Sequence, residues 1–303
     1  MTDLTVFTQA LQREIPGLQL CFMEPMAQHT SFRIGGPVQV MAFPKTVEEL
    51  SSLLILAKKS QVLPRILGAG TNILAPDEGL EGLVICLKDC LDGMVLLEDN
   101  CLRVAGGVTM TRAAVFAANH GLGGLEFAHG IPGTVGGGVY MNAGAYGGEI
   151  SMVCKCVEVM DFDGVLHTLD AADMAFSYRH SRLEDEGGIV VSATFALTPD
   201  TPEAIRGRMQ ELMTKRKTSQ PLDLPSAGSA FKRPVGGYAA ALIDQAGLKG
   251  YQIGGAAVSE KHAGFVVNLD KATALDVRTL LKNVSDIVFE KSGIRLEPEV
   301  RIW

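Results

Sequence analysis

The sequence predicts an α+β fold, with short strands dominating first and longer helices following. Three observations carry this. Up to about residue 200, short apolar or alternating runs outnumber helical patterns and are punctuated by glycine. The glycine motif that directly follows an apolar strand, Gly68–Asn72 (GAGTN), reads GxGxxI rather than GxGxxG and opens no clear helix. That argues against a doubly wound dinucleotide fold. Composition then shifts at Thr198–Pro202, and charged and long helical patterns come after it.

Taken in order, residues 4–15 predict an amphipathic helix. His29–Gly36 (HTSFRIGG) predicts a polar turn into a strand over Val38–Phe43. Thr46 and Glu49 predict a capping box for a helix reaching Lys59. A strand over 65–68 runs into GAGTN. Strands follow at 83–87, 94–97 and 101–105, then a helix over Thr109–Asn119 stopped by Gly121. Residues 152–160 and 165–169 predict a hairpin about Asp163-Gly164, and 189–197 (IVVSATFAL) an alternating strand. Past the shift, 202–217 predict a charged helix and Pro221–Gly237 a loop. Residues 238–246 predict a helix stopped by Gly247, 251–258 and 264–268 strands, and 272–291 a long helix closed by Gly293. Ile294–Trp303 predicts a last strand. Its period of two puts Arg295, Glu297, Glu299 and Arg301 on one face and Ile294, Leu296, Val300 and Ile302 on the core face.

A chain of 303 residues with 47% hydrophobic content has room for about two domains and a sizeable core. Its net charge of -7 makes nucleic acid an unfavourable partner. No apolar run is long enough to cross a bilayer. The N-terminus carries Asp3 early and shows no apolar core before a small-residue cleavage site, unlike a secretory signal. The six cysteines (Cys21, Cys86, Cys90, Cys101, Cys154 and Cys156) include no CxxC pair. A cytoplasmic protein with reduced thiols is the expectation. No two histidines stand three or four residues apart, so no metal is expected.

Glycine crowds into Gly121–Gly147 (GLGGLEFAHGIPGTVGGGVYMNAGAYG) as nowhere else. A backbone without Cβ admits positive φ and lets a ligand approach its amides, and successive exposed N–H groups attract anions. The stretch is almost uncharged, so an anion there would be held by backbone dipoles, as a pyrophosphate is. Its ordinary reading is a set of tight turns between strands, though Pro132, Tyr140, Asn142 and Tyr146 favour a fixed loop over a flexible linker. GAGTN is a second glycine cradle in the same chain. Elsewhere, Ser229 lies in AGSAFKRP with Lys232 and Arg233 just after it, and Arg179 lies in SYRHSR. On local sequence alone Ser229 reads as a cap, Arg179 as a surface arginine, and Glu297 and Glu299 as charges guarding an edge strand.

Seven segments, in order and over nearly the whole chain, resemble the UDP-N-acetylenolpyruvoylglucosamine reductase family, the flavoenzymes of peptidoglycan precursor synthesis. They are SFRIGG (31–36), GAGTN (68–72), GLEFAHGIPGTVGGG with MNAGAYGGEI (124–150), YRHS (178–181), PSAGSAFKRP (225–234), LIDQAGLKG with IGGAAVSEKHAGF (242–265) and LEPEVR (296–301). Gly138 stands where the family usually has alanine. The spacing from Arg179 to Ser229 is similar to the shorter type, without an extra tyrosine-bearing loop.

The resemblance implies a vanillyl-alcohol-oxidase-like (PCMH-type) FAD-binding domain in two parts, 1–65 and 66–200, and a C-terminal α+β substrate domain over 201–303. It implies non-covalent FAD, bound by Arg33, Gly68, Ala69, Gly70, Thr71, Asn72, Gly130, Ile131, Pro132, Gly133, Gly136, Gly137, Asn142, Ala143, Gly144, Ala145, Tyr178 and Ile189. NADPH is implied as co-substrate, and UDP-N-acetylglucosamine enolpyruvate as the acceptor of a hydride from flavin N5. Ser229 is then the proton donor to C2, with Arg179 and Glu299 stabilising the developing charge. Lys217 is the candidate for the UDP diphosphate, with Tyr238 and His262 beside it. A monomer is expected. Two other readings stand beside this one: an FAD-dependent sugar or alcohol oxidase of the same superfamily, and a non-catalytic nucleotide-sugar or flavin-binding protein.

Overall fold

The structure, a computed structural model, describes residues Leu4–Trp303. Its helices are α1 (Thr5–Glu14), α2 (Val47–Lys59), α3 (Met110–Asn119), α4 (Val135–Tyr140), α5 (Arg182–Glu186), α6 (Pro202–Ser219), α7 (Ala239–Gln245) and α8 (Ala274–Ser292). Packing divides the chain into two compact units, both discontinuous in sequence. One comprises residues up to Phe22, Val40–Ala69 and Glu81–Thr214; the other comprises Met23–Gln39, Gly70–Leu80 and Lys215–Trp303. No described helix is long and apolar enough to cross a membrane.

In the first unit a five-stranded antiparallel sheet takes the order Leu166–Asp170, Cys154–Met160, Ile189–Ala196, Cys101–Ala105, Met94–Leu96. A four-stranded sheet, most of whose residues belong to this unit, takes the order Gln19–Pro25, Pro37–Phe43, Leu80–Cys86, Arg65–Leu67, its last two strands parallel. Helix α2 buries Leu50, Leu53, Leu54 and Ala57, the spacing of one helix face. Its cap is half the expected box: Thr46 Oγ1 accepts from the Glu49 amide at 3.1 Å, but Glu49 reaches back to the Lys45 amide at 2.7 Å rather than to Thr46. The hairpin turn at Asp163-Gly164 docks on the same helix through Ser51 Oγ, which donates to Gly164 O at 2.7 Å.

The glycine-rich stretch is not only turns. Thr134 caps α4 by accepting from the Gly137 amide, and the helix carries three glycines, of which Gly136 lies against a strand end. A Cβ on Gly136 would stand 3.0 Å from Gly106 O and 3.4 Å from Val190 O. Glycine's poor helix propensity hid this helix from the sequence.

In the second unit Ser226–Ser229, Phe265–Asn268, Ala256–Val258 and Gln252–Ile253 form an antiparallel sheet in that order. It packs, with α7 and α8, around Phe231, Ile243, Val258, Val266, Leu280 and Val284. Helix α8 begins at a full capping box between Thr273 and Asp276, and Asp77 adds hydrogen bonds to the amides of Ala274 (2.8 Å) and Leu275 (3.2 Å). Three expectations are corrected here. The loop over Pro221–Gly237 contains the strand Ser226–Ser229. The single strand over 251–258 is a hairpin turning at Gly254, φ 53°. The last strand shrinks to Arg301–Ile302, paired in parallel with Ile73–Leu74. The Glu299 amide donates to Ala230 O and the Arg301 amide to Asn72 O, so the segment changes partners and a longer ladder does not form. Leu296 and Val300 are buried as expected, but Ile302 is exposed.

All six cysteines are reduced. Burial pushes the Cys86 thiol up to about 11 and the Cys154 thiol up to about 12. Both remain protonated at pH 8, and the thiolate is the reactive form. Brief alkylation of the native protein at pH 8 will therefore label the half-exposed Cys21 and spare Cys86 and Cys154. Mass spectrometry that found Cys154 labelled as fast as Cys21 would refute this placement.

Candidate active site

The residues expected at the site form two clusters, one within each unit. In the first, a Cβ on Gly68 would lie 2.6 Å from Thr134 Oγ1, so the GAG and GTV segments meet with no room for a side chain. Several amides of the glycine-rich stretch are engaged by the chain itself. Gly136 donates to Gly106 O (2.8 Å), Ile131 to Ala128 O (3.0 Å) and Ala143 to Gly138 O (2.8 Å), while Gly137 donates to Thr134 Oγ1 (3.2 Å). Pro132 has no amide. The expectation of an anion held by backbone dipoles is narrowed accordingly. At these positions glycine serves close approach rather than donation.

The Tyr178-Arg179 pair forms the tip of a tight turn. Ser177 and His180 exchange both main-chain hydrogen bonds, at 3.1 and 3.2 Å. Arg179 sits at φ 56° and donates from Nη2 to Gly144 O at 3.1 Å. Behind the turn Asn142, fully buried at φ 45°, donates from Nδ2 to Ser177 O at 3.0 Å. Ser181, equally buried, donates to Tyr140 O at 2.6 Å. Arg33 shares the left-handed backbone, φ 56°. Non-glycine residues persist there only where their surroundings over-determine them, a recurrent property of functional positions. Ile189, by contrast, is 1% exposed, and its side chain belongs to the core. Only its main chain is left to touch a ligand.

In the second unit GAGTN continues from Gly70. Gly70 is at φ 61°, a Cβ there would lie 1.9 Å from His29 O, and its own carbonyl accepts from the Ser31 amide at 3.1 Å. Arg33 projects to solvent between buried Phe32 and Ile34. Asn72 Nδ2 donates to Glu299 O at 3.1 Å. The Glu299 amide donates to Ala230 O at 2.9 Å, the Lys232 amide donates to Glu297 O at 2.8 Å, and Phe231 bridges Pro298 between them. The neighbourhoods of Ser229 and Glu299 are thus one antiparallel pairing. A bulge with Gly228 at φ 75° separates buried Ala227 from buried Ala230, which turns Ser229 outward, exposed. Glu297 extends into solvent with Lys232 at 3.8 Å, while Glu299 is half-buried. The two cations just after Ser229 in sequence meet other groups: Lys232 meets Glu297, and Arg233 stacks 4.1 Å above the Tyr238 ring.

Of the substrate candidates, Lys217 is exposed near the end of α6, where its carbonyl accepts from Lys261 Nζ at 2.6 Å. Tyr238 is the N-cap residue of α7. His262 accepts at Nδ1 from the Gly264 amide (3.1 Å) and packs edge-on to Phe265. Burial lowers its pKa, aided by the charge of Lys249. His262 is therefore neutral at pH 7, with Nε2–H as its donor, and contributes no positive charge to a diphosphate.

Sequence reasoning missed two groups. His129 heads the GIPG segment. Its Nδ1 is buried without a hydrogen-bond partner among the described residues, and burial lowers its pKa. An orphaned polar atom beside an uncharged glycine-lined segment fits a large neutral-headed cofactor such as a flavin dinucleotide. Glu149 and Ser151 support Asn142 from behind. Their only sequence signal was position, just past NAGAYG. Among the described residues no group of three His, Cys, Asp or Glu could hold a metal.

A family model described as the C-terminal domain of UDP-N-acetylenolpyruvoylglucosamine reductase matches residues 220–303, and one described as an FAD binding domain matches residues 38–170. A UDP-N-acetylenolpyruvoylglucosamine reductase from Levilactobacillus brevis is 45% identical over 287 residues, covering 95% of this chain and 94% of its own. One from Streptococcus pneumoniae is 44% identical, covering 95% of each chain. The crystal structure of UDP-N-acetylenolpyruvylglucosamine reductase from Thermus caldophilus is 36% identical, with a TM-score of 0.81 over 94% of this chain and 98% of its own. Alkyldihydroxyacetonephosphate synthase, 16% identical with a TM-score of 0.50 over 65% of this chain and 41% of its own, shares the fold alone. The expected vanillyl-alcohol-oxidase-like FAD-binding architecture is borne out.

Proposed function

Because the chain belongs to the UDP-N-acetylenolpyruvoylglucosamine reductase family, FAD-containing oxidoreductases of peptidoglycan synthesis, we propose that it reduces UDP-N-acetylglucosamine enolpyruvate to UDP-N-acetylmuramate, with NADPH as electron donor. The pairing that sets Ser229 beside Glu299, with the Glu299 amide 2.9 Å from Ala230 O, is the observation that carries this reading. The roles divide along the chain as 1–65 and 66–200 for FAD and 201–303 for substrate. The protein works as a monomer in the cytoplasm.

Gly68–Asn72, Gly130–Gly133, Gly136, Gly137, Gly144, Ala145, Tyr178 and Arg33 would hold the cofactor, with the main chains of Ala143 and Ile189. When bound, FAD supplies the hydride, taken from NADPH and delivered from its N5 to C3 of the enolpyruvyl group. Ser229 Oγ–H gives its proton to C2 as negative charge builds there, and its exposure lets water return that proton. Arg179, permanently protonated, sets a fixed positive potential for the carboxylate that shares this charge, and Glu299 adds a hydrogen bond. Lys217 meets the diphosphate as a point charge, with Tyr238 and the neutral Nε2–H of His262 as donors.

Purified protein reconstituted with FAD will consume NADPH only when the enolpyruvyl sugar nucleotide is added, with one sugar reduced per NADPH. NADPH consumption driven by oxygen and indifferent to the sugar would turn the reading toward an oxidase. Failure to retain FAD would turn it toward a non-catalytic binder.

A further inference from the structure

The geometry points to Asn142 and Glu149 as positioning residues that hold Arg179 in its catalytic turn, with Asn142 acting behind the site rather than as a side-chain ligand of the cofactor. This rests on the proposal that Arg179 stabilises the charge developing on substrate. The Asn142 side chain is fully buried and both of its amide protons are engaged. Nδ2 donates to Ser177 O at 3.0 Å and to Glu149 Oε1 at 3.1 Å, and Oδ1 accepts from the Ser151 amide at 3.0 Å. Both partners of Nδ2 are acceptors only, which fixes the amide's orientation. No polar atom of Asn142 is left with an open donor to offer a ligand.

The bracket closes on Arg179 from two sides. Ser177 O, held by Asn142, also accepts from the His180 amide at 3.2 Å and so defines the turn whose tip is Arg179. Gly144 O, which accepts from Arg179 Nη2, lies directly opposite Glu149 in the hairpin Gly144–Ala145 with Gly148–Glu149. Ser151 Oγ donates to the same Glu149 Oε1 at 2.5 Å, so one carboxylate oxygen gathers Asn142 and Ser151. Arg179 at φ 56° needs such support, because a left-handed arginine relaxes once its turn is released.

Glu149→Ala keeps the Cβ against which Gly144 packs and removes the acceptor. In the apo protein it will speed hydrogen exchange at the Ser177 and His180 amides by about tenfold or more. In the FAD-loaded protein it will slow reoxidation of reduced flavin by substrate between about tenfold and a hundredfold, since small misplacements of a charge-stabilising group are this costly. The rate of reduction by NADPH will stay within about twofold of the parent. Glu149→Gln, which keeps one carbonyl oxygen, will restore most of the loss. In an Arg179→Ala background the effect of Glu149→Ala on reoxidation will vanish, because residues acting through one another are not additive.

An equal loss from Glu149→Ala in both backgrounds, or unchanged exchange at Ser177 and His180, would overturn the inference. An Arg179→Ala variant with parental reoxidation would instead overturn the role of Arg179 itself. Should Glu149→Ala not fold, Ser151→Ala removes only the hydroxyl contact and will show the same pattern at about threefold. Parental exchange and parental reoxidation in that variant would then refute the bracket.

Discussion

Ser229→Ala will slow the reoxidation of reduced flavin by substrate about 10²–10⁴-fold, the usual worth of a positioned proton donor, and will leave reduction by NADPH at the parental rate. The two half-reactions separate because only the second needs a proton at C2. Loss of fold does not confuse the result. Ser229 is exposed at a bulge, its neighbours Ala227 and Ala230 carry the packing, and alanine keeps the Cβ. Stopped-flow absorbance of the flavin resolves both phases. Equal slowing of both would reduce Ser229 to a structural role at the bulge.

Gly70→Ala will cost about 3 kcal/mol or more and lower the melting temperature on the order of 10 °C. The backbone is at φ 61°, and the new Cβ would stand 1.9 Å from His29 O, a backbone atom that cannot swing aside. The displacement falls on the loop that also carries Asn72 against Glu299, so FAD retention and turnover should fail together. Gly207→Ala in mid-α6 is the contrast. Nothing lies within 4 Å of the added Cβ, and the residue should gain about 0.5–1 kcal/mol from helix propensity. Thermal melts of the two variants moving in the same direction would contradict this account.

Much of the fold was legible because the signals were local. Thr46 and Thr109 cap helices, Gly293 closes α8 at φ 73°, and Ile189–Ala196 is a strand, though one buried almost throughout rather than alternating. What failed were features decided by distant packing. Helix α4 hides in a glycine run because Gly136 is confined by Gly106 and Val190 and Gly138 by Met110, all far off in sequence. The strand Ser226–Ser229 exists because Phe265 and Val267 pair with it, not through any propensity of SAGS. Ile294–Trp303 had the alternation of a strand, yet it switches partners between Glu299 and Arg301, which left only two residues in the ladder. At the site, the family's motifs pointed to Arg179, Ser229 and Glu299, and local chemistry alone did not. Glu149 and His129 were invisible for a different reason: their meaning lies in which hydrogen bonds are filled, and no spacing rule encodes that.

The pairing of Arg301–Ile302 with Ile73–Leu74 has a consequence for how the chain is made. At about 5–20 residues per second of synthesis, roughly 11–45 seconds pass between the emergence of Ile73 and that of its partner. Throughout that interval Leu74, 1% exposed once folded, has no strand beside it. Until residues 301–302 emerge, the nascent protein thus carries an apolar edge available to chaperones or to a neighbouring chain.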